Sequence, residues 1–125
     1  MSQTKKPCVL AVDDVSVVLN AVIDALHKDY DVYALSKARQ VESFLKQHKP
    51  DLFILDIEMP ELNGYDLINL IRSHEEHKET PVIFLTGNAT VQNFHSARDY
   101  GVSDFIAKPV DSAALLQRVA AKIKK

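Results

Sequence analysis

Short apolar runs alternate with helix-patterned segments along the whole chain of 125 residues. Between the runs, apolar residues recur at the spacing of amphipathic helices. The runs that read as strands are 9–12, 32–34, 52–55, 82–85 and 104–107. The first, third and fourth are almost purely apolar, which is typical of strands covered by helices on both faces. The alternation therefore predicts an α/β fold with an open, doubly wound, five-stranded parallel sheet of (βα)5 topology.

The strand order predicts where a ligand would bind. In the flavodoxin-like order 2-1-3-4-5, the order reverses between strands one and three, and ligands bind beyond the carboxyl ends of the strands at that point. Asp14 follows the first strand and Asp56 follows the third. The topology and the polar residues therefore indicate the same edge of the sheet.

Five helices are predicted between and after the strands. Ser36 is predicted to cap the second helix, and Asp111 or Ser112 the fifth. The fourth is predicted over about 89–100. The segment 73–80 is rich in charged residues and histidine, which indicates a solvent-exposed helix end and loop.

Length and charge narrow the class of protein. The 125 residues predict a single domain, 1–125. The net charge of -2 gives no basic surface, so neither nucleic acid nor an anionic membrane is an expected partner. No apolar stretch approaches the ~20 residues that span a bilayer, and the polar N-terminus does not resemble a signal peptide. The single cysteine, Cys8, is expected to be a small buried residue. We therefore expect a cytoplasmic protein.

Charged and hydroxyl side chains stand directly after the predicted strands. Because the carboxyl ends of parallel strands meet at one edge of a sheet, we expect these side chains to lie close together. They are Asp13, Asp14, Asp56, Thr86 and Lys108. Crowded carboxylates repel each other unless a cation lies between them. Ligands that are all oxygen favour Mg²⁺, with Mn²⁺ as an alternative.

The same residues are suited to phosphoryl transfer. Asp56 would be the nucleophile and would form an aspartyl phosphate. Lys108 and the metal would neutralise charge that develops on the equatorial phosphoryl oxygens. The Thr86 hydroxyl would donate a hydrogen bond to the attached group, and Gly87 would leave space around it.

Four fragments taken together resemble the signature of response-regulator receiver domains. Each fragment alone is common, but all four in this order at predicted strand ends form a specific pattern. The resemblance covers essentially the whole chain. The fragments are Val12-Asp13-Asp14, Asp56-Ile57-Glu58-Met59-Pro60, Thr86-Gly87 and Lys108-Pro109.

The resemblance implies a role for each matching acidic position. Asp56 would be the phosphoacceptor and a metal ligand. Asp14 would bind Mg²⁺ directly and Asp13 largely through water. The backbone carbonyl of Glu58 would be a further ligand.

It also implies how the phosphoryl group would be sensed. Lys108 would contact the phosphoryl group, and its peptide bond to Pro109 would be cis. Thr86 would move towards the phosphoryl group, and Phe105 would follow it inwards as the switch aromatic. Phe105 lacks the hydroxyl of the tyrosine that is frequent at this position in the family.

Two positions beside the acceptor are expected to control the lifetime of the acyl phosphate. Glu58 adds a negative side chain two residues after Asp56, and Asn88 stands two residues after Thr86. We expect both side chains to influence how water reaches the phosphoryl group, and therefore to tune dephosphorylation.

Each assignment has a structural alternative. The pair Asp13 and Asp14 would also suit a helix N-cap, Thr86 a local hydrogen bond to the backbone, and Phe105 a static place in the core. Asp56 would also suit a turn before Met59-Pro60, and Lys108 a solvated surface position. The histidines are expected on the surface rather than in a metal site: His27, His48, His74, His77 and His95.

The receiver resemblance implies a signalling switch rather than an enzyme that turns over a separate metabolite. A histidine kinase or phosphotransfer protein would supply the phosphoryl group. The surface of helix four, strand five and helix five would then control a downstream partner or output domain, and the domain would catalyse its own phosphorylation and dephosphorylation. A small phosphatase with an aspartyl intermediate is a weaker interpretation, because Glu58 replaces the second aspartate of the usual Asp-x-Asp pattern. Nothing in the sequence supports a docking module that is never phosphorylated.

A weak homodimer is a further expectation. Asp104 and Arg118 match positions that form ion pairs across the dimer face of one receiver subgroup. A local surface pair is an equally good interpretation of these two residues.

Overall fold

Five parallel strands form one sheet in the order β2-β1-β3-β4-β5. The computed structural model describes residues 6–57, 59, 64–87 and 104–123. The strands are β1 (Cys8–Val12), β2 (Asp31–Leu35), β3 (Leu52–Asp56), β4 (Val82–Thr86) and β5 (Asp104–Ala107). The predicted fold class and strand order are confirmed.

Helices cover both faces of this sheet. The buried residues of α1 and of the C-terminal helix belong to one core cluster, and those of α2 and α3 belong to the other. The α-helices are α1 (Ser16–Leu26), α2 (Val41–Leu45), α3 (Gly64–Arg72) and the C-terminal helix (Ser112–Lys122). Two 3-10 helices, Ala38–Gln40 and Glu75–His77, precede α2 and follow α3. The sheet is therefore doubly wound.

The central strand β3 shows why the apolar runs do not alternate with polar residues. Phe53 and Leu55 belong to the cluster on one face, and Leu52 and Ile54 belong to the cluster on the other. All four have no exposed surface. Successive side chains of a strand point to opposite faces, and both faces are buried here, so every position of the strand must be apolar.

The register of the strands brings their carboxyl ends into line. Val12 of β1 pairs with Leu55 of β3, and Thr86 of β4 pairs with Ala107 of β5. The residue after β5 continues this alignment, because the Lys108 amide donates to the carbonyl oxygen of Thr86 at 2.9 Å. The polar residues that follow the strands therefore meet at one edge.

The helix caps were predicted with mixed success. Asp111 caps the C-terminal helix, since its carboxylate accepts hydrogen bonds from the Ala113 and Ala114 amides at 3.0 and 3.2 Å. The cap at Ser36 is wrong. The second helical segment begins as a 3-10 helix whose N-cap is Lys37, and that cap makes no side-chain hydrogen bond. The predicted helix at 89–100 lies outside the described residues.

The segment between α3 and β4 differs most from its prediction. His77 is buried with 1% of its surface exposed, so its expected surface position is wrong. Its ring packs edge-on against Phe53, with centroids 5.1 Å apart. Its Nδ1 lies 2.9 Å from Thr80 Oγ1. Arg72 closes the turn by donating to the carbonyl oxygens of His77 and Thr80 at 2.9 and 2.6 Å. His77 is buried because it packs against Phe53 of β3, a strand that is distant in sequence.

Two other predictions of burial need smaller corrections. His48 is half-buried because it stacks on Phe44 with ring centroids 4.3 Å apart, whereas His27 is exposed as expected. Cys8 is half-buried rather than buried. His95 lies outside the described residues. In the described part of the chain, none of the helices combines the length and the apolar character that a membrane crossing requires.

Candidate functional site

Three carboxylates converge at the carboxyl edge of the sheet. Asp13 and Asp14 follow β1, and Asp56 is the last residue of β3. Oxygen atoms of the three side chains all lie within 4.8 Å of one another. Asp13 is 1% and Asp56 is 4% exposed, whereas Asp14 is exposed. The cluster is thus anchored in the protein interior and open to solvent on the side of Asp14.

Lys108 supplies the positive charge that partly compensates this cluster. Its Nζ lies 2.9 Å from Asp13 Oδ2 and 3.4 Å from Asp56 Oδ2. Burial opposes the charged form of Lys108, but the hydrogen bonds and charges of the two carboxylates outweigh it, and the pKa of Lys108 is raised above its usual value. Lys108 therefore remains a cation that bridges the ends of β1 and β3.

The local structure of Asp13 shows how it can hold this position. Its Oδ1 accepts a hydrogen bond from the Val15 amide at 2.9 Å, and its backbone amide donates to the Leu35 carbonyl at 3.2 Å. The N-cap of α1 is Val15, which has no side-chain cap hydrogen bond. The alternative of an Asp13 and Asp14 helix N-cap pair is therefore wrong. Asp13 fixes the turn before α1 and directs its second oxygen towards Lys108.

The two expected switch residues lie on neighbouring strands beside the cluster. Thr86 ends β4 with 1% of its surface exposed, and Phe105 lies in β5 with 7% exposed. The peptide bond between Lys108 and Pro109 is cis, as the resemblance implied. The structure brings Thr86 and Lys108 to the same edge as the carboxylates. Glu58 and Asn88 lie outside the described residues.

Gly64, at the start of α3, was missed as a site residue. A Cβ atom at this position would lie 2.8 Å from the carbonyl oxygen of Asp56 and 2.9 Å from Cα of Ile57. The Gly64 amide donates to the Ile57 carbonyl at 2.8 Å. Only glycine lets α3 approach the end of β3 so closely. By contrast, a Cβ at Gly87 would meet no described atom within 4 Å.

The donor set of this edge suits a hard divalent cation. All three converging side chains are carboxylates, and within the described ranges no histidine or cysteine belongs to the cluster. Mg²⁺ prefers oxygen ligands, uses one or two carboxylates and keeps several waters. Asp14 lies on the exposed side of the cluster. Asp13, Asp14 and Asp56 therefore fit Mg²⁺, and Mn²⁺ by the same chemistry.

The chain belongs to the response regulator receiver domain family. The sequence profile of that family matches residues 9–120, which include the carboxylates, Thr86 and Lys108. The match covers β2 to β5 and all of β1 except Cys8. The recognition made from the four sequence fragments is confirmed.

Similar proteins agree with this assignment. A probable cyclic di-GMP phosphodiesterase of Vibrio cholerae serotype O1 is 32% identical over 95% of this chain, which spans 27% of that protein. A response regulator structure from Desulfuromonas acetoxidans has a TM-score of 0.82 and 31% identity, and the match covers 92% of this chain and 94% of that one. The chemotaxis protein CheY4 of Vibrio cholerae has a TM-score of 0.89 at 24% identity, over 94% and 99% of the two chains, which shows the shared fold.

Curated relatives of this chain include much longer proteins. The chain spans between 17% and 50% of the length of three of them. In these proteins the similar region is one part of a longer sequence.

Proposed function

We propose that Asp56 accepts a phosphoryl group from the phosphohistidine of a histidine kinase or phosphotransfer protein. The observation that carries this proposal is the position of the Asp56 carboxylate. It ends the central strand, belongs to the three-carboxylate cluster, and has the Lys108 ammonium 3.4 Å from one oxygen. A nucleophile beside a fixed cation and an open metal site is the arrangement that phosphoryl transfer requires.

The transfer is a single displacement at phosphorus. One carboxylate oxygen of Asp56 forms the new P–O bond while the P–N bond of the phosphohistidine breaks. The electron pair of the broken bond returns to the imidazole nitrogen of the donor. Lys108 neutralises charge on the phosphoryl oxygens, and Asp13 keeps its ammonium in position for this task.

The metal of this proposal is Mg²⁺, with Mn²⁺ as an alternative. Asp13, Asp14 and Asp56 would hold it, together with the backbone carbonyl of Glu58, which lies outside the described residues. When bound, the cation supplies positive charge opposite the phosphoryl oxygens and relieves the repulsion among the carboxylates.

Phosphorylation would act as a conformational switch. The new negative charge would draw the Thr86 hydroxyl inwards, and Phe105 would follow it. The surface of β5 and the C-terminal helix would then change its preferred conformation, together with the predicted helix at 89–100, which lies outside the described residues. A downstream partner or output domain would read that change. The places of Thr86 and Phe105 on adjacent strands support this proposal, as does the greater length of the curated relatives. Phe105 is already buried in this structure, which equally fits its static place in the core.

Such a domain is a signalling protein that catalyses its own phosphorylation and dephosphorylation. We propose that the side chains of Glu58 and Asn88 set the dephosphorylation rate by controlling the approach of water. Replacing Glu58 with Gln or Asn88 with Ala should change the lifetime of the acyl phosphate measured after removal of the donor. An unchanged lifetime in either variant would contradict this part of the proposal.

The extent of the domain, its compartment and its partners are also part of the proposal. We treat residues 1–125 as one receiver domain acting in the cytoplasm, where phosphohistidine donors charged by ATP would be found. Protein partners are proposed rather than nucleic acid, in keeping with the net charge of -2. A weak homodimer through Asp104 and Arg118 is also proposed, although these side chains already contact each other within one chain at 3.4 Å.

Intact-mass measurement tests the central claim. The protein is incubated with acetyl phosphate, with and without Mg²⁺, and compared with Asp56→Ala and with Asp24→Asn, which changes an exposed aspartate of α1. We expect one phosphoryl adduct that needs Mg²⁺, persists in Asp24→Asn and is absent from Asp56→Ala.

The contrary outcomes are distinct. An adduct that persists in Asp56→Ala would assign the acceptor to another residue. If the wild type shows no adduct, 19F NMR of a beryllofluoride complex separates rapid hydrolysis, in which the complex still forms, from a domain that is never phosphorylated.

A further inference from the structure

Three aromatic rings form a continuous row from the expected switch residue to the start of α3. The ring centroids of Phe105 and Phe84 are 5.8 Å apart at an interplanar angle of 60°. Those of Phe84 and Tyr65 are 5.4 Å apart at 75°. Both pairs have the edge-to-face arrangement that aromatic rings favour. Phe84 therefore links Phe105 on β5 to Tyr65 in the first turn of α3.

Phe84 lies on β4, between β3 and β5, where it can contact residues of both neighbouring strands. It pairs in register with Phe105 of β5 on one side and with Leu55 of β3 on the other. It lies two residues before Thr86, so the two side chains point to the same face of β4. Phe84 has no exposed surface, and Phe105 belongs to the same core cluster.

The first turn of α3 lies close to the Phe84 ring. A Cβ at Gly64 would lie 3.2 Å from Cε1 of the Phe84 ring and 2.8 Å from the carbonyl oxygen of Asp56. The same turn is thus in close contact with both the acceptor residue and the central ring. In a close-packed interior, a ring that moves must displace its neighbours.

We propose that Phe84 is a positioning residue for the switch. Its ring couples Phe105 to the first turn of α3, so that a movement of Phe105 displaces Tyr65. This inference rests on the proposed function, because it assumes that Phe105 moves on phosphorylation. It extends the surface that responds beyond β5 and the C-terminal helix to the half-buried side chain of Tyr65. A partner that reads this surface would meet an aromatic side chain at the beginning of α3.

The first arm of the test uses the unphosphorylated protein and needs no phosphoryl chemistry. NMR spectra of the Tyr65 ring are recorded for wild type and Phe105→Leu, and again with Phe84→Leu in both backgrounds. We expect Phe105→Leu to shift the Tyr65 resonances when Phe84 is present, and the shift to be lost when Phe84 is leucine. If Phe105→Leu leaves Tyr65 unshifted in the wild-type background, the coupling is overturned.

Phe53→Leu is the matched control for Phe84→Leu. Phe53 is also fully buried in the same core cluster, but its ring packs against His77 at 5.1 Å. The control should lose stability and yet keep the response of Tyr65 to Phe105→Leu. Loss of the response in both variants would mean general loosening of the core, and the specific role of Phe84 would be rejected.

The second arm adds Mg²⁺ and beryllofluoride, and 19F NMR shows whether beryllofluoride binds. We expect its binding to shift the Tyr65 ring resonances in wild type and Phe53→Leu. In Phe84→Leu this shift should be lost although beryllofluoride still binds. Beryllofluoride bound to wild type without any Tyr65 response would overturn this inference and leave the proposed function intact. Failure of wild type to bind beryllofluoride, together with no acetyl phosphate adduct, would overturn both.

A reciprocal pair of variants covers the case in which Phe84→Leu does not fold. Tyr65→Leu removes the outer ring and should shift the Phe105 resonances, whereas Tyr65→Phe keeps the ring and should preserve them. Equal Phe105 spectra in Tyr65→Leu and wild type would contradict the proposal.

Discussion

The two ends of β3 and β4 bury ionisable side chains in opposite ways. At the carboxyl end, Asp13 and Asp56 are nearly inaccessible but lie against the Lys108 ammonium at 2.9 and 3.4 Å. At the other end, His77 is equally buried, and its Nε2 has no hydrogen-bond partner among the described residues. Burial and nearby positive groups lower the pKa of His77 and favour its neutral form.

The difference shows what each end requires. Buried charges persist only where an opposite charge or a metal compensates them, and at the carboxyl end Lys108 compensates Asp13 and Asp56. At the end around His77, the buried histidine is neutral, and the polar groups stabilise the turn before β4. Four variants test this contrast, from the largest expected effect to the smallest.

Lys108→Met should have the largest effect on stability. It leaves the Asp13 and Asp56 carboxylates buried without their cation, and we expect a loss of about 3 kcal/mol in metal-free buffer. Urea unfolding measures the loss, and added Mg²⁺ should recover part of it. Lys122→Met removes a more exposed partner of Asp104 and should cost about 0–1 kcal/mol. Equal losses in the two variants would show that the buried cluster does not depend on Lys108.

Gly64→Ala tests the crowding at the same end. Its new Cβ would press on backbone atoms of Asp56 and Ile57 at 2.8 and 2.9 Å, which cannot move aside as a side chain can. We expect a loss of about 2 kcal/mol, in spite of the better helix propensity of alanine. Gly87→Ala is the control, since its Cβ meets no described atom within 4 Å, and it should change stability by less than about 0.5 kcal/mol. A neutral Gly64→Ala in urea unfolding would refute the close approach.

His77→Gln tests the neutral histidine of the opposite end. Because the pKa of His77 is lowered on folding, the unfolded chain binds more protons as the pH falls through the usual imidazole range. The wild type should therefore lose stability on acidification from about pH 7.5, and the loss should level off below the folded pKa. His77→Gln should remove this part of the acid dependence. The unfolding midpoint in urea, measured across this pH range, reports the effect.

His27→Gln is the matched control, because His27 is exposed whereas His77 is buried. Several charged groups act on His77. Glu76 favours the protonated form of His77, while burial and the positive groups His74, Lys49 and Arg72 oppose it. His74 itself lies 3.1 Å from Glu42. The same replacement at the exposed His27 reports the general effect of exchanging a histidine for glutamine. Parallel profiles for wild type and His77→Gln would show that His77 does not titrate as inferred.

Arg118→Ala should have the smallest effect. Its guanidinium lies 3.4 Å from Asp104 and is about half exposed, so water and salt screen the pair. Lys122 still contacts Asp104 in the variant. We expect a loss of less than about 1 kcal/mol that shrinks at high salt. Sedimentation of wild type and variant, with and without beryllofluoride, checks the dimer. A loss comparable with that of Lys108→Met would remove the contrast between paired surface charges and paired buried charges.

Much of the fold and of the candidate site was determined by the sequence alone. The apolar runs predicted the strands, because a strand buried on both faces must be apolar at every position. The position of Asp56, Thr86 and Lys108 after such runs predicted their convergence, because parallel strands end at a common edge. The order of the four receiver fragments identified the family without any coordinates.

Only the tertiary structure decided the contacts between elements. The closer approach of Lys108 to Asp13 than to Asp56, the burial of His77 against Phe53 and the narrow space at Gly64 depend on how distant segments pack. The row of Phe105, Phe84 and Tyr65 likewise appears only when β5, β4 and α3 are assembled. Periodicity along a chain records which face of an element is buried, but the neighbours that fill that face are set by register and close packing.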